Sequence, residues 1–289
     1  MEGGKFNQID GPEAFQAAFG VSRETRDKLT IYEAVLRRWQ KTINLVAPST
    51  LDHVWHRHFA DSAQLSPLIA AGAGFLAAPH PGPLPMKCSH GERELIFPSP
   101  RPDSERVPVD AKHRFAMTGR VRGRDVERGE AGEVAGSRHS PLHILDLGSG
   151  AGFPGLVLAI MGSETGATRH TLIESDSRKA AFLAEVARQT GVAVDILCAR
   201  IELPATSAKV GLVDFITARA FAPLPRLVDL AAPYFASHTI GLFSKGREVA
   251  AELEETGLRW VFESKLHPSL TDPSGSVVLL TALKVKTEG

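Results

Sequence analysis

Between residues 146 and 155 the chain reads Asp146-Leu147-Gly148-Ser149-Gly150-Ala151-Gly152-Phe153-Pro154-Gly155. Glycines at this density allow a tight strand-to-helix turn and let a ligand approach the backbone closely. A dinucleotide-binding loop takes glycine at its first, third and sixth positions. Here the sixth position is Phe153, and the pattern is G-x-G-x-G with Asp146 two positions before the first glycine. A plain glycine-rich turn is the alternative. Glu174 follows His170-Thr171-Leu172-Ile173 and lies 19 residues after Gly155. That separation suits an acid that ends the second strand of such a sheet and accepts hydrogen bonds from ribose hydroxyls. Its alternative is a neighbour of a helix N-cap, since Ser175-Asp176-Ser177 opens a helical pattern. No Ser-His-Asp or paired-carboxylate constellation is evident. His53, His56 and His58 invite a metal reading, but no Cys lies nearby and no third ligand closes the set, so no metal is expected.

The elements that would position these residues follow from periodicity. Leu29, Tyr32, Val35, Leu36, Trp39 and Ile43 recur at helical spacing, with Arg37, Arg38 and Lys41 on the other face. After a break at Asn44–Pro48, Ser49 and Asp52 have the spacing of a helix start. From Leu142 onward, short apolar runs alternate with helical patterns. Strands are expected at Leu142–Leu147, Thr171–Ile173, Val192–Leu197, Leu212–Ala218, Ile240–Phe243 and Val277–Leu283, with a weaker one at Trp260–Phe262. Helices are expected at Arg178–Arg188 and Arg226–Phe235. This alternation implies an α/β fold whose mostly parallel sheet carries helices on both faces.

The loop resembles motif I of the Rossmann-like S-adenosylmethionine-dependent methyltransferases. A carboxylate at the start of the loop repels a pyrophosphate and suits a ligand bearing an ammonium group and a sulfonium. The further segments TLIESDSRKAAFL, ARIE, ARAFAPL and FSKG, with YEAVLRRWQKTINLV and RHFADS upstream, resemble a narrower group. This is the family of bacterial small-subunit ribosomal RNA guanine-N7 methyltransferases, also called glucose-inhibited division protein B. The resemblance covers about residues 24–70 and 141–250, with a weaker C-terminal match. It implies an enzyme that methylates N7 of a guanine in 16S rRNA with S-adenosyl-L-methionine as donor. Cofactor contacts would fall on Asp146, Gly148, Gly150, Gly152, Phe153 and Glu174, with Ile201 and Glu202 meeting the adenine. Arg219 would lie beside the cofactor or the target base. Phe221, Phe153 and Arg219 are candidates for holding that base. The bland alternatives are a core Phe153, a solvated Glu202 and a surface ion pair at Arg219. No catalytic base is required, because N7 is unprotonated and its lone pair points outward.

RNA-contact candidates are Arg37, Arg38, Lys41, Arg57 and Lys245, the last with a structural role equally open. The rival readings are a methyltransferase of a protein or small molecule, and an inactive ribosome-binding relative. Arg219-Ala220-Phe221-Ala222-Pro223 stands where amino-directed enzymes carry Asn-Pro-Pro-Tyr, and Phe153 and Asp146 disfavour a nicotinamide dehydrogenase.

Composition bounds this further. The 289 residues carry 33 basic and 33 acidic side chains. One stretch, Pro79 to Ser140, holds eight Pro and seven Gly with no helical or strand period. Such a segment buries too little apolar surface to offset its ordering entropy, so a disordered, dispensable insert is expected. The chain is accordingly divided into a helical extension (1–73), the insert (74–140) and the methyltransferase domain (141–289). Excluding the 11 basic and nine acidic residues of 79–140 leaves 22 against 24, so any grip on RNA must come from local patches. Cys88 and Cys198 are too few for a disulfide framework. No apolar run reaches ~18 residues, and MEGGKFNQID lacks the features of a secretory signal. A cytoplasmic monomer acting on 16S rRNA or the small subunit, with no membrane partner, is expected.

Overall fold

The computed structural model describes residues 8–77 and 141–287. The expected insert therefore lies, save for its first residues, outside the described residues. Seven strands form one sheet in the order β3-β2-β1-β4-β5-β7-β6. These are β1 (Leu142–Leu147), β2 (Thr168–Glu174), β3 (Asp195–Cys198), β4 (Phe215–Arg219), β5 (Ile240–Lys245), β6 (Trp260–Pro268) and β7 (Ser276–Val285). The first five run parallel, and β7 is antiparallel to both β5 and β6. Apolar runs buried on both faces read as continuous hydrophobic segments, which is how β1, β4 and β5 announce themselves. The chain reverses strand order between β1 and β4, and the carboxyl ends there form the crevice where α/β sheets take ligands.

Helices α5 (Gly155–Gly162) and α6 (Ser177–Thr190) follow β1 and β2. The carboxylate of Asp176 caps α6 by accepting the backbone N–H groups of Arg178 and Lys179, and Gly191 closes the helix in the left-handed region. On the other face lie α7 (Pro204–Val210), α8 (Leu224–Ala231) and α9 (Val249–Arg259), packed with Leu145, Ile216 and Phe243.

The N-terminal helices are not an appendage. α1 (Pro12–Phe19) and α2 (Arg23–Trp39) share one core with α5 and α6, in which Leu29, Tyr32 and Leu36 meet Leu156, Phe182 and Leu183. Helix α4 (Ser66–Ala77) continues through the boundary expected at 73/74, because this helix packs on the sheet. Leu68 and Ile69 join the cluster around Ile144, Phe215 and Ile240, and a Cβ at Gly72 would sit 2.8 Å from Phe215. The expected helix start at Ser49 and Asp52 is also corrected. Pro48–His53 is a 3₁₀ turn, followed by a π-helical run, Trp55–Ala60, and the short α3 (Asp61–Ala63). The wider π turn is of the kind found at functional sites.

Tyr32 ties α2 to the glycine loop. Its ring is fully buried, stacks on Phe153 at 5.4 Å and donates its hydroxyl to the carbonyl of Ala151. Tyr32→Phe leaves that buried carbonyl unpaired, which should cost about 1–3 kcal/mol, read as a lower urea midpoint with an unchanged denaturant slope.

Candidate active site

The carboxyl ends of β1, β2, β3 and β4 surround a cleft of about 530 Å³. The loop after β1 forms its floor. Gly148 and Gly152 take φ of +65° and +88°, a region costly for any residue with a Cβ. At Gly148 a side chain would also overlap the ring of Phe221, which rests on the loop. Glu174 ends β2 and lines the cleft. One carboxylate oxygen accepts Gly150 N–H and the other Asp176 N–H, both at 2.8 Å. Each oxygen keeps a second lone pair for a ligand hydroxyl. Ile201 and Glu202 follow β3 and line the same cleft, with the carbonyl of Ile201 fixed by the Tyr234 hydroxyl at 2.9 Å. Leu45 and Val46 reach it from the N-terminal side, held by Gln40, whose amide accepts both of their N–H groups and donates to the carbonyl of Val46.

Asp146 departs from its expected place. It is 1% exposed and does not line the cleft. Oδ1 accepts the Thr217 hydroxyl at 2.7 Å, and Cβ of a residue replacing Gly155 would lie 2.6 Å from the Asp146 side chain. Its carboxyl sits beneath the loop, bracing β1 against β4, and burial raises its pKa to about 6. Phe153 lines the cleft but is 4% exposed, with Tyr32, His58 and Phe59 against it, so its ring is occupied and unavailable to stack on a base.

Arg219, at the end of β4, is the joint of the site. Its guanidinium lies over Phe153 at 5.0 Å and donates to the Arg57 carbonyl (2.9 Å), Asp61 (3.1 Å) and His58 Nδ1 (2.7 Å). The ion pair at Arg219 is thus a half-buried one at the edge of the cleft, with both side chains 15% exposed. Because Arg has donors only, His58 must present a lone pair at Nδ1 and carry its proton on Nε2, which then donates to Thr50 Oγ1 at 2.7 Å. His58 and Asp61 belong to RHFADS, a pattern read only as a family mark; their partnership with a residue some 160 positions away left no local trace.

The basic candidates separate. Lys245 turns inward to the Ala222 carbonyl (2.6 Å) and Glu252 (2.9 Å), with an 8% exposed side chain, so the structure gives it the structural role and not the RNA contact. Glu252 in turn accepts Leu224 N–H and pins the start of α8. Arg37 bonds Glu33 and the Leu51 carbonyl, and Arg38 lies 3.6 Å from Glu185. Lys41 is exposed after α2, and Arg57 lies 3.8 Å from Asp272.

A sheet with its reversed seventh strand, a glycine loop after β1 and an acid closing β2 define a Rossmann-like, S-adenosylmethionine-dependent methyltransferase. Residues 132–276 match the family model described as rRNA small subunit methyltransferase G. A relative of that name from Parvibaculum lavamentivorans is 37% identical over 276 residues, 96% of this chain and 91% of the relative. Another from Rhodospirillum centenum is 40% identical over 269 residues, covering 93% and 89%. The chain belongs to the rRNA small subunit methyltransferase G family.

Burial lowers the pKa of His58 and of His170 to about 3, with Arg219 adding to the shift at His58. A histidine that resists protonation when folded stabilises fully above its unfolded pKa near 6.5, and that stability is lost as pH falls toward 3. Asp146 works the other way between about 6 and 3.8, where the folded state holds its proton more tightly. His58→Asn keeps an acceptor for Arg219 and removes one titrating group. Its stability deficit against the parent chain should therefore shrink by about 1 kcal/mol per pH unit between pH 6 and 4, as measured by denaturation midpoints; a constant deficit would contradict the neutral imidazole.

Proposed function

We propose that this chain methylates N7 of a guanine in 16S rRNA, presented in the small ribosomal subunit or its precursor. The observation that carries this reading is the joining, at one crevice, of a nucleotide-type cleft with the Arg219 junction. Glu174 would take the ribose hydroxyls, Ile201 the adenine face, and Glu202 the adenine edge. The backbone of Gly148 and Gly150 would line the amino-acid end, whereas Gly152, expected there too, packs against Tyr32 and Leu183 and is not part of the cleft lining. Asp146 would act from below by holding the loop, and Arg219 and Phe221 would border the reacting position. S-adenosylmethionine supplies an electrophilic methyl group on sulfur.

Guanine N7 needs no deprotonation, since its lone pair would itself accept the methyl group that S-adenosylmethionine, held by Glu174 and the glycine loop, would supply. What the protein must provide is in-line positioning and electrostatic support. The ionisable groups nearest the junction suit that role, since Arg219 bonds to both Asp61 and His58 and Asp146 is sealed beneath the loop. The target base must leave its stack to reach the crevice. Arg37, Arg38, Lys41 and Arg57 are offered as phosphate contacts flanking it. The enzyme is read as a cytoplasmic monomer without a metal or membrane partner. No described helix is long and apolar enough to cross a membrane. The chain is divided into a helical part, an insert and a methyltransferase part, with the first boundary moved past Ala77.

Two measurements test this. N7-methylguanine mapped in rRNA from cells with and without the gene should differ at one position, and purified protein with cofactor should restore it; no difference in either would sink the assignment. By calorimetry, Glu174→Ala should weaken S-adenosylmethionine binding by roughly tenfold or more, the loss of about 1.4 kcal/mol of charge-assisted bonding.

A further inference from the structure

A second cleft, of about 470 Å³, adjoins the first, and Leu45, Val46, Arg219 and Ala220 line both. It opens beside the end of β5 and is walled by the turn between β6 and β7. Most of its polar groups are committed. Asp61 accepts from Gln64 and Thr271 at Oδ1 and from Arg219 at Oδ2. Gln64 is held in turn, donating to Asp61 and accepting Leu270 N–H.

Asp272 differs. Its Oδ1 caps the turn by accepting Ser274 N–H (2.9 Å) and Oγ (2.8 Å), whereas Oδ2 meets only Arg57, at 3.8 Å, among the described residues. Its side chain is 38% exposed, and the residue lines the cleft. The hydrogen bonds from Ser274, aided by the charges of Arg57 and Arg247, hold its carboxyl below the usual range, so near neutrality it is an acceptor only. At the end of β5, the buried Ser244 hydroxyl also lacks a hydrogen-bond partner among the described residues.

We infer that the second cleft seats the target guanine, with the N1–H and 2-amino edge on the Asp272 carboxylate and N7 turned toward the first cleft. The inference rests on the methyltransferase reading and adds the residue that reads the base. N7 and the N1/2-amino edge lie at opposite ends of the purine. A base held by Asp272 at one end therefore offers the other to the junction at Arg219 and Ala220. The contact chain Arg219–Asp61–Thr271 runs along the cleft wall and leads directly to Asp272. With Oδ1 already committed to Ser274, the open Oδ2 has lone pairs for the adjacent N1–H and 2-amino donors, whereas adenine presents an unprotonated N1 and no 2-amino group there. A site built on such a pair rejects an analogue that cannot supply it.

The test compares small subunits lacking the modification, reconstituted with guanosine or with inosine at the mapped position. Inosine keeps N7 and N1–H but lacks the 2-amino group. The parent enzyme should methylate guanosine with kcat/KM roughly tenfold higher, the value of one good base contact. Asp272→Asn keeps the oxygen that caps the turn; it should lose roughly tenfold on guanosine and most of the preference over inosine, with S-adenosylmethionine affinity by calorimetry within about twofold. Asp272→Ser, which can also cap the turn, should behave alike. An unchanged guanosine-to-inosine ratio in both variants would overturn the inference, as would loss of cofactor binding in both, which would make Asp272 a structural residue. Absence of methylation by the parent enzyme on either substrate would instead overturn the underlying function.

Discussion

Everything at the crevice depends on where the positive charge of Arg219 is placed. At 15% exposure it keeps only part of its hydration, and a guanidinium so placed is costly without protein partners. It needs acceptors, and the backbone near β4 does not supply them. They come from the N-terminal segment: a carbonyl at Arg57, a carboxylate at Asp61 and a ring nitrogen at His58. One cation thus fixes the docking of the π-helical run, the tautomer of His58 and the contact with Thr50. Deleting any single partner leaves the others facing an incomplete set, so the group behaves as a unit.

That junction sits on a second constraint, the glycine loop. Phe153 leaves the loop to pack under Arg219, while Tyr32 holds the Ala151 carbonyl from the opposite helix. Asp146 braces the loop from beneath through Thr217. The loop is therefore gripped by α2, by β4 and by the π-helical segment. This explains why the N-terminal helices share the core of the sheet domain and are not a separate attachment. A preorganised loop gives a bound ligand its contacts without further ordering cost.

What could be read from the sequence was what is local. The apolar run of β1, the glycine spacing and the separation of Glu174 are short-range properties, and each appears where the residues predict. β6 read weakly because, unlike the doubly covered parallel strands, it is an edge strand exposed along most of its length. Its nine residues are set by pairing with β7 and not by their own pattern. The side chains that the sequence misplaced, as Asp146, or left open between two roles, as Lys245 and Phe153, share one cause. Asp146, Lys245 and Phe153 have types suited to a ligand, but their partners, Thr217, Glu252 and Tyr32, lie 71, 7 and 121 positions away. Lys245 shows that even a near neighbour is invisible until the turn that brings Glu252 back is known. His58 was hidden for the same reason, since its meaning lies in Arg219.

The electrostatics of the crevice form a consistent whole. A reaction that removes a proton from its acceptor needs a group whose lone pair is free and whose pKa lies near neutrality. His58 is neutral, but its Nδ1 lone pair is taken by Arg219 and its pKa is pushed down to about 3. Asp146 has a pKa raised to about 6, yet it lies sealed below the loop. Charge at this crevice serves to hold geometry. Such an arrangement is compatible with the proposed acceptor, a ring nitrogen whose lone pair needs no proton removed. A near-neutral chain can serve a polyanionic substrate on the same terms, if recognition rests on the shape and edges of one nucleotide more than on total charge.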